Sequence, residues 1–225
     1  MQSGSDYVDR VPVTAEEEAY RFILHRIRMG TYPSGTRLIP EDIAVEIGTS
    51  RMPVREAFRR LSTEGLVTIR PNRGAMVRGL TMQETREVFD MRAVLEGLAA
   101  TLALDNVDAA ELTELERLLE KMEAVNADIP QWVTYHREFH EYLCRLSRSP
   151  RLIRQISSLH AVVEPHMRLW LEHADKPMTS REDHMAILDA IRSRDPAVVE
   201  ATIREHIRTT IPALQELMLN NATAP

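Results

Sequence analysis

Cysteine, glycine and aromatic side chains are all scarce in this 225-residue chain. The lone cysteine, Cys144, excludes an intrachain disulfide and fits a reducing compartment. Aromatics at 5% and only 8 glycines argue against a β-sandwich and for helices. No apolar run approaches the roughly 20 residues that span a bilayer. Residues 1–13 lack the charged-then-apolar pattern of a secretory signal, so a cytoplasmic protein with no membrane partner is expected. Signatures of catalysis are missing as well. There is no Gly-x-Ser-x-Gly elbow, no glycine-rich phosphate loop and no spacing that pairs the cysteine with a histidine. Positive charge is short overall, with a formal net charge of −6, which on its face argues against a nucleic-acid partner.

The distribution of charge reverses that last inference. Residues 21–78 hold 11 Arg against 5 Asp and Glu, a net of +6, whereas residues 81–225 hold 16 basic and 24 acidic residues, a net of −8. A basic module is followed by an acidic one. Apolar residues at 44% and charged ones at 28% suit a globular chain with a core, and no internal repeat or low-complexity tract interrupts it.

The basic module centres on residues 49–65. Ser50 can cap a helix, Pro53 falls in its first turn, and Gly65 stops it. Val54, Ala57, Phe58 and Leu61 recur at helical spacing as an apolar stripe. Arg51, Arg55 and Arg59, four apart, share another face, with Arg60 beside them. Such a helix fits a major groove, an arginine at its start forking onto guanine while the others meet phosphate. The same pattern also suits a surface helix with solvated arginines. Upstream, residues 14–29 read as a helix capped by Thr14, residues 30–36 as a turn, and residues 40–47 as a short helix ended by Gly48. Two short helices joined by a tight turn, the second basic, make a helix-turn-helix. Downstream, the β-branched run from Val67 to Ile69, the turn from Arg70 to Gly74 and the extended run from Ala75 to Val77 predict a two-stranded wing. Arg70 and Arg73 lie at its tip, within reach of phosphate or the minor groove, although a purely structural ribbon would look the same.

Together, Ser-Arg-Met-Pro-Val-Arg-Glu-Ala-Phe-Arg-Arg-Leu from Ser50, Glu-Gly-Leu-Val from Glu64 and Asn-Arg-Gly-Ala from Asn72 resemble the winged-helix domain of the GntR family of bacterial transcription regulators. The resemblance spans residues 19–77. It implies that Ser50, Arg51, Met52, Arg55 and Gly74 approach DNA, to which the residues themselves add Arg59, Arg70 and Arg73. Two positions depart from the family pattern. Glu41 stands where many members carry a DNA-touching Arg, and Met52 replaces the usual Thr.

From residue 81 the punctuation predicts helices alone, over 81–104, 108–125, 129–147, 151–173, 179–193 and 196–219. Val88, Met91, Leu95, Leu98 and Leu102 are expected to face inward on the first, and Pro165 to kink the fourth near Val163 or Glu164. The predicted fold is mainly α: a winged helix-turn-helix over 14–78, a linker over 79–81, a helical bundle over 82–219, and a flexible start at 1–13 and tail at 220–225. The helical part resembles the effector-binding FCD domain of the FadR branch of the same family. The matching runs are Val88-Phe-Asp-Met-Arg-Ala-Val-Leu-Glu96, His136-Arg-Glu-Phe-His140, His184-Met-Ala-Ile-Leu-Asp-Ala-Ile191, and His206 in the last helix.

His136 and His140, four apart, share a helix face, and His184 and His206 lie on two further helices. Imidazoles converging from three helices suit Zn²⁺ or Ni²⁺, the reading the resemblance implies, with Asp or Asn the family's usual residue where His136 stands. The alternative is a polar pocket of hydrogen-bonded histidines without metal. His166 and His173 fit pocket or surface positions, and His25 and His160 carry no signal. A metallohydrolase is disfavoured. Arg137 occupies the glutamate position of His-Glu-x-x-His, and Glu138 lies off the histidine face. A helical adaptor that binds protein alone conflicts with the basic winged helix. The expected function is a DNA-binding repressor, a homodimer on palindromic double-stranded operator DNA, controlled by a small organic acid or sugar acid. Arg92 is the expected guanidinium for that effector and Arg168 the second choice. Arg92 could instead simply pair with Glu96 at i, i+4.

Overall fold

The computed structural model describes residues 13–71, 73–172 and 180–222. The chain opens with α1 (Ala15–Arg28), capped by Thr14, whose side chain accepts from the Glu17 N–H, and it buries Ala19, Tyr20, Ile23 and Ile27. β1 (Arg37–Leu38) and α2 (Pro40–Glu46) follow, then α3 (Arg51–Thr63), β2 (Val67–Arg70) and β3 (Gly74–Val77). The buried stripe of α3 is the expected one, Val54, Ala57, Phe58 and Leu61. Ser50 has the extended backbone of an N-cap, but its side chain makes no capping bond, contrary to expectation.

The wing carries a third strand that the sequence did not announce. β3 pairs antiparallel with β2 on one side and with β1 on the other, with Arg37 opposite Met76. Two residues are too short a run to show a period. Gly74 starts β3 at φ +82, and a Cβ there would collide with the Leu38 carbonyl oxygen, so only glycine lets β1 approach.

The second half is helical throughout: α4 (Met82–Ala103), α5 (Ala109–Ala124), α6 (Ile129–Arg145), α7 (Pro150–Glu172), α8 (Arg181–Ser193) and α9 (Pro196–Ala222). Thr81 starts α4 with a capping box shared with Glu84, and Ser180 starts α8 with another shared with Asp183. α7 runs through Pro165, and α9 runs through Pro212 to Ala222, beyond the expected end at residue 219. His173, Thr179 and residues 1–12 and 223–225 lie outside the described residues. None of the described helices is long and apolar enough to cross a membrane.

The packed face of α4 is only partly the expected one, and Leu95 packs half-buried against Ala99, Cys144 and Ile156. Phe89, Ala93, Ala99, Ala100 and Ala103 are buried with Val88, whereas Met91, Leu98 and Leu102 are 47%, 46% and 40% exposed. The reason is close approach. α9 lies against the small residues of α4, and a Cβ on Gly97 would sit 3.3 Å from side-chain carbons of Glu200 and Arg204. The large side chains are therefore left on the outside.

The two halves touch along α7. Ala161 joins the core of the winged helix. The Arg28 guanidinium reaches the Ser157 carbonyl at 3.4 Å and Glu164 at 3.5 Å. Between the halves, the Leu80 N–H donates to His166 Nε2 at 2.9 Å.

Candidate DNA interface and metal centre

The basic face forms where α2, α3 and the wing meet. Ser50, Arg51, Met52, Arg55, Arg59, Arg70 and Arg73 are all exposed, and Gly74 is half-buried. A groove of about 230 Å³ is lined by Arg37, Arg55, Arg59, Arg70, Arg73 and Gly74, with Glu41 also in its wall. Five guanidiniums around one groove make a site for phosphate. Arg37 was not singled out from the sequence, because the two-residue strand that carries it was not legible. Arg51, at the first position of α3, pairs with Glu41 at 3.0 Å, and Arg59 pairs with Glu56 at 2.6 Å. Arg60 turns away from this face. It bonds Glu17 at 2.7 Å and lies 3.5 Å over the Tyr20 ring, tying α3 to α1.

The four histidines expected to meet do meet. His136 and His140 come from α6, His184 from α8 and His206 from α9, all are buried, and one ligand atom of each lies within 4.8 Å of the others. His140 Nε2 and His206 Nε2 are 3.2 Å apart. Two imidazole nitrogens sharing one ion at ~2.0–2.1 Å would stand about 2.9–3.4 Å apart. Two of the outer nitrogens are held as a ligand set needs. His184 Nδ1 donates to the Ser180 carbonyl at 3.0 Å, and His140 Nδ1 faces Glu96 at 3.2 Å. His184 Nε2 and His206 Nδ1 are buried without a hydrogen-bond partner. Burial, aided by the neighbouring imidazoles, pushes His136 and His206 well below the ordinary histidine range and His184 down to about 4. All three are therefore neutral at pH 7, the form that ligates.

Glu96 organises the wall behind them. It accepts from Arg92 Nε at 2.7 Å and meets His160 Nε2 at 2.8 Å. Burial alone would raise its carboxyl, but Arg92 and His160, with a hydrogen bond from His140, hold it well below the usual range. Sequence reasoning gave His160 no role, since nothing in the chain announces a partner 64 residues away. Arg92 is buried and lines two cavities of about 10 Å³ each, with His136 and Met167 common to both. Arg168 lines neither. It donates to Thr134 at 2.9 Å and faces Glu164 at 3.5 Å. Each cavity has room for one water and not for an organic acid. A larger groove of about 380 Å³ between α8 and α9, with Asp183 and Glu205 on its rim, reaches His206 from outside. Its acidic rim suits the passage of a cation.

Comparison with known proteins agrees with both halves. Residues 15–77 match the gntR family of bacterial regulatory proteins, and residues 87–209 match the FCD domain. A probable D-xylose utilization operon transcriptional repressor from Paenarthrobacter nicotinovorans is 30% identical over 89% of this chain and 88% of its own. The HTH-type transcriptional repressor RspR of Escherichia coli (strain K12) is 24% identical over 92% of this chain and 91% of its own. The solved structure of E. coli McbR/YncC superposes with a TM-score of 0.79 at 26% identity, over 91% of this chain and 98% of that one. These relatives regulate transcription rather than catalyse reactions, and regulators of their family bind operator DNA and generally act as dimers. The chain belongs to the gntR family of bacterial transcription regulators, with an FCD domain as its helical half.

Proposed function

We propose that this protein is a cytoplasmic, dimeric repressor on a palindromic operator, and that a small organic acid controls its grip through a divalent ion in the helical half. The observation that carries the reading is the convergence of four buried imidazoles, His136, His140, His184 and His206, within 4.8 Å. A nitrogen set of this kind suits Zn²⁺ or Ni²⁺. The ion would supply an open coordination position to a carboxylate when it is five- or six-coordinate. Arg92, on the wall beside it, offers a guanidinium for the second oxygen. Met167, unbranched and shared by both small cavities, is the side chain placed to give way when an acid enters. The relative named for D-xylose utilization makes sugar acids the first class to screen.

The dimer rests on α4. Met91, Val94, Leu98 and Leu102 form an exposed apolar row that one copy alone leaves in water. Two copies around a twofold axis would bury it and set their recognition helices about one helical turn apart, ~34 Å. Light scattering is expected to give a dimer at micromolar concentration, and a monomer with and without DNA would contradict this part.

The test of the effector site is elemental analysis of the purified protein, followed by calorimetric titration of organic and sugar acids before and after chelation. His184→Ala is expected to lose both the metal and the acid. A second reading, histidines as a polar lining without an ion, draws on the 3.2 Å contact between His140 and His206, which a shared proton also explains. Metal-free protein that binds its acid equally well with a chelator present would establish that reading instead.

A further inference from the structure

We propose that Glu41 is a specificity-determining residue. It holds the Arg51 guanidinium in position to read a guanine, so that the protein gives up general affinity for DNA in exchange for discrimination between bases. The inference rests on the family's binding of operator DNA and goes beyond it by assigning a role to a carboxylate on the DNA face.

Glu41 lies in the first turn of α2 and Arg51 at the first position of α3, so their 3.0 Å contact bridges the two helices of the helix-turn-helix. The other ion pair on this face, Arg59 with Glu56, stays within α3 at i, i+3 and fixes nothing between helices. Both members of the bridging pair are exposed, and the Arg51 hydrogen bond, with Arg55 nearby, holds the Glu41 carboxyl below its ordinary range. Glu41 is therefore ionised whenever DNA approaches. It is also the one acid lining a groove bounded by five arginines. Against a polyanion that charge is unfavourable at every sequence alike, since phosphates carry no base information.

The compensation is geometric. A guanidinium presents its donors in a rigid fork. With Nη1 engaged by Glu41, a second edge remains to meet guanine O6 and N7. An unheld arginine at an exposed helix start swings among rotamers and meets a phosphate as readily as a base. Glu41 thus repels all DNA equally and rewards only the sequence that places guanine opposite Arg51.

The experiment is a selection of binding sites from a randomised double-stranded DNA pool with the full-length wild-type protein. Affinities follow for the selected site, for each of its single-base-pair variants and for an unrelated duplex. The proteins compared are wild type, Glu41→Ala, Glu41→Gln, Arg51→Ala and the Glu41→Ala/Arg51→Ala double variant, each checked for unchanged circular dichroism. Glu41→Ala is expected to bind the unrelated duplex several-fold more tightly, while its discrimination at one G·C pair per half-site falls about tenfold. Glu41→Gln, which keeps an acceptor but not the charge, should fall between. Arg51→Ala should lose discrimination at that same pair, and the double variant should lose no more than Arg51→Ala does. If Glu41→Ala discriminates at every position as wild type does, or loses discrimination at a pair that Arg51→Ala leaves intact, the proposal is overturned. Wild-type protein that selects no sequence from the pool would overturn this proposal together with the DNA-binding reading beneath it.

Discussion

The winged helix and the helical half handle charge in opposite ways. In the first, arginines stand in water and pair with carboxylates that are themselves exposed, as Arg51 does with Glu41 and Arg59 with Glu56. In the second, Arg92, Glu96, His140 and His160 are buried together and pair within that group. Exposed pairs contribute little to folding, because water screens them and competes for both partners. Buried pairs have no alternative in water, so they hold one arrangement of helices and penalise its loss. In one half the ion pairs lie open to an approaching ligand, and in the other they are closed in.

The largest expected effect sharpens that contrast. Glu96→Ala leaves Arg92 buried without its carboxylate and should cost about 3–5 kcal/mol of folding stability in urea denaturation. Arg59→Ala, on the other half, should cost less than about 1 kcal/mol. Equal losses would erase the distinction. The reverse asymmetry is expected in DNA binding. Arg55→Ala should weaken a specific site by ~1–3 kcal/mol with folding unchanged, measured by fluorescence anisotropy. An unaltered affinity would remove α3 from the groove.

A smaller effect lies at the boundary between the halves. Burial lowers the pKa of His166, whose Nε2 accepts from the Leu80 N–H. The unfolded chain binds the proton more readily than the folded one below about pH 6.5, so the stability His166 contributes is complete above that pH and is lost as pH falls toward the folded value. The gap in stability between wild type and His166→Gln should narrow by up to about 1.4 kcal/mol for each pH unit below 6.5. A gap that does not vary with pH would mean that His166 does not titrate with folding. The smallest effect separates two helix starts. Thr81→Ala should cost about 1 kcal/mol, whereas Ser50→Ala, which removes no capping bond, should change folding stability by less than about 0.5 kcal/mol.

Local signals made most of the winged helix legible. Pro53, Gly65 and the apolar stripe of α3 are each read within a turn or two of chain, and they fixed that helix nearly to the residue. The hydroxyl of Ser50 was over-read, because a capping residue type does not guarantee the capping bond. Strand β1 was missed because its pairing is set by Gly74, far along the chain. In the helical half the elements and the four histidines were legible, the first from punctuation and the second from i, i+4 spacing and family resemblance. Which face of α4 packs was not. Hydrophobicity alone favours Met91, Leu98 and Leu102, whereas the packing within one copy is decided by how closely α9 can approach Ala93, Gly97 and Ala100. The roles of Glu96 and His160 depend on tertiary contact and leave no trace in local sequence.

Helix α7 serves both halves at once. Ser157, Ala161 and Glu164, at i, i+4 and i+7, meet the winged helix, while His160, Val163 and Met167, at i, i+3 and i+7, form the cavity wall behind the histidines, which Glu164 also lines. The two rows ride on one rod, so Met167 cannot be pushed aside by a turn of α7 without carrying Glu164 away from Arg28. Any turn of α7 would move the cavity wall and the contact with the winged helix together, so the two halves share one movable part.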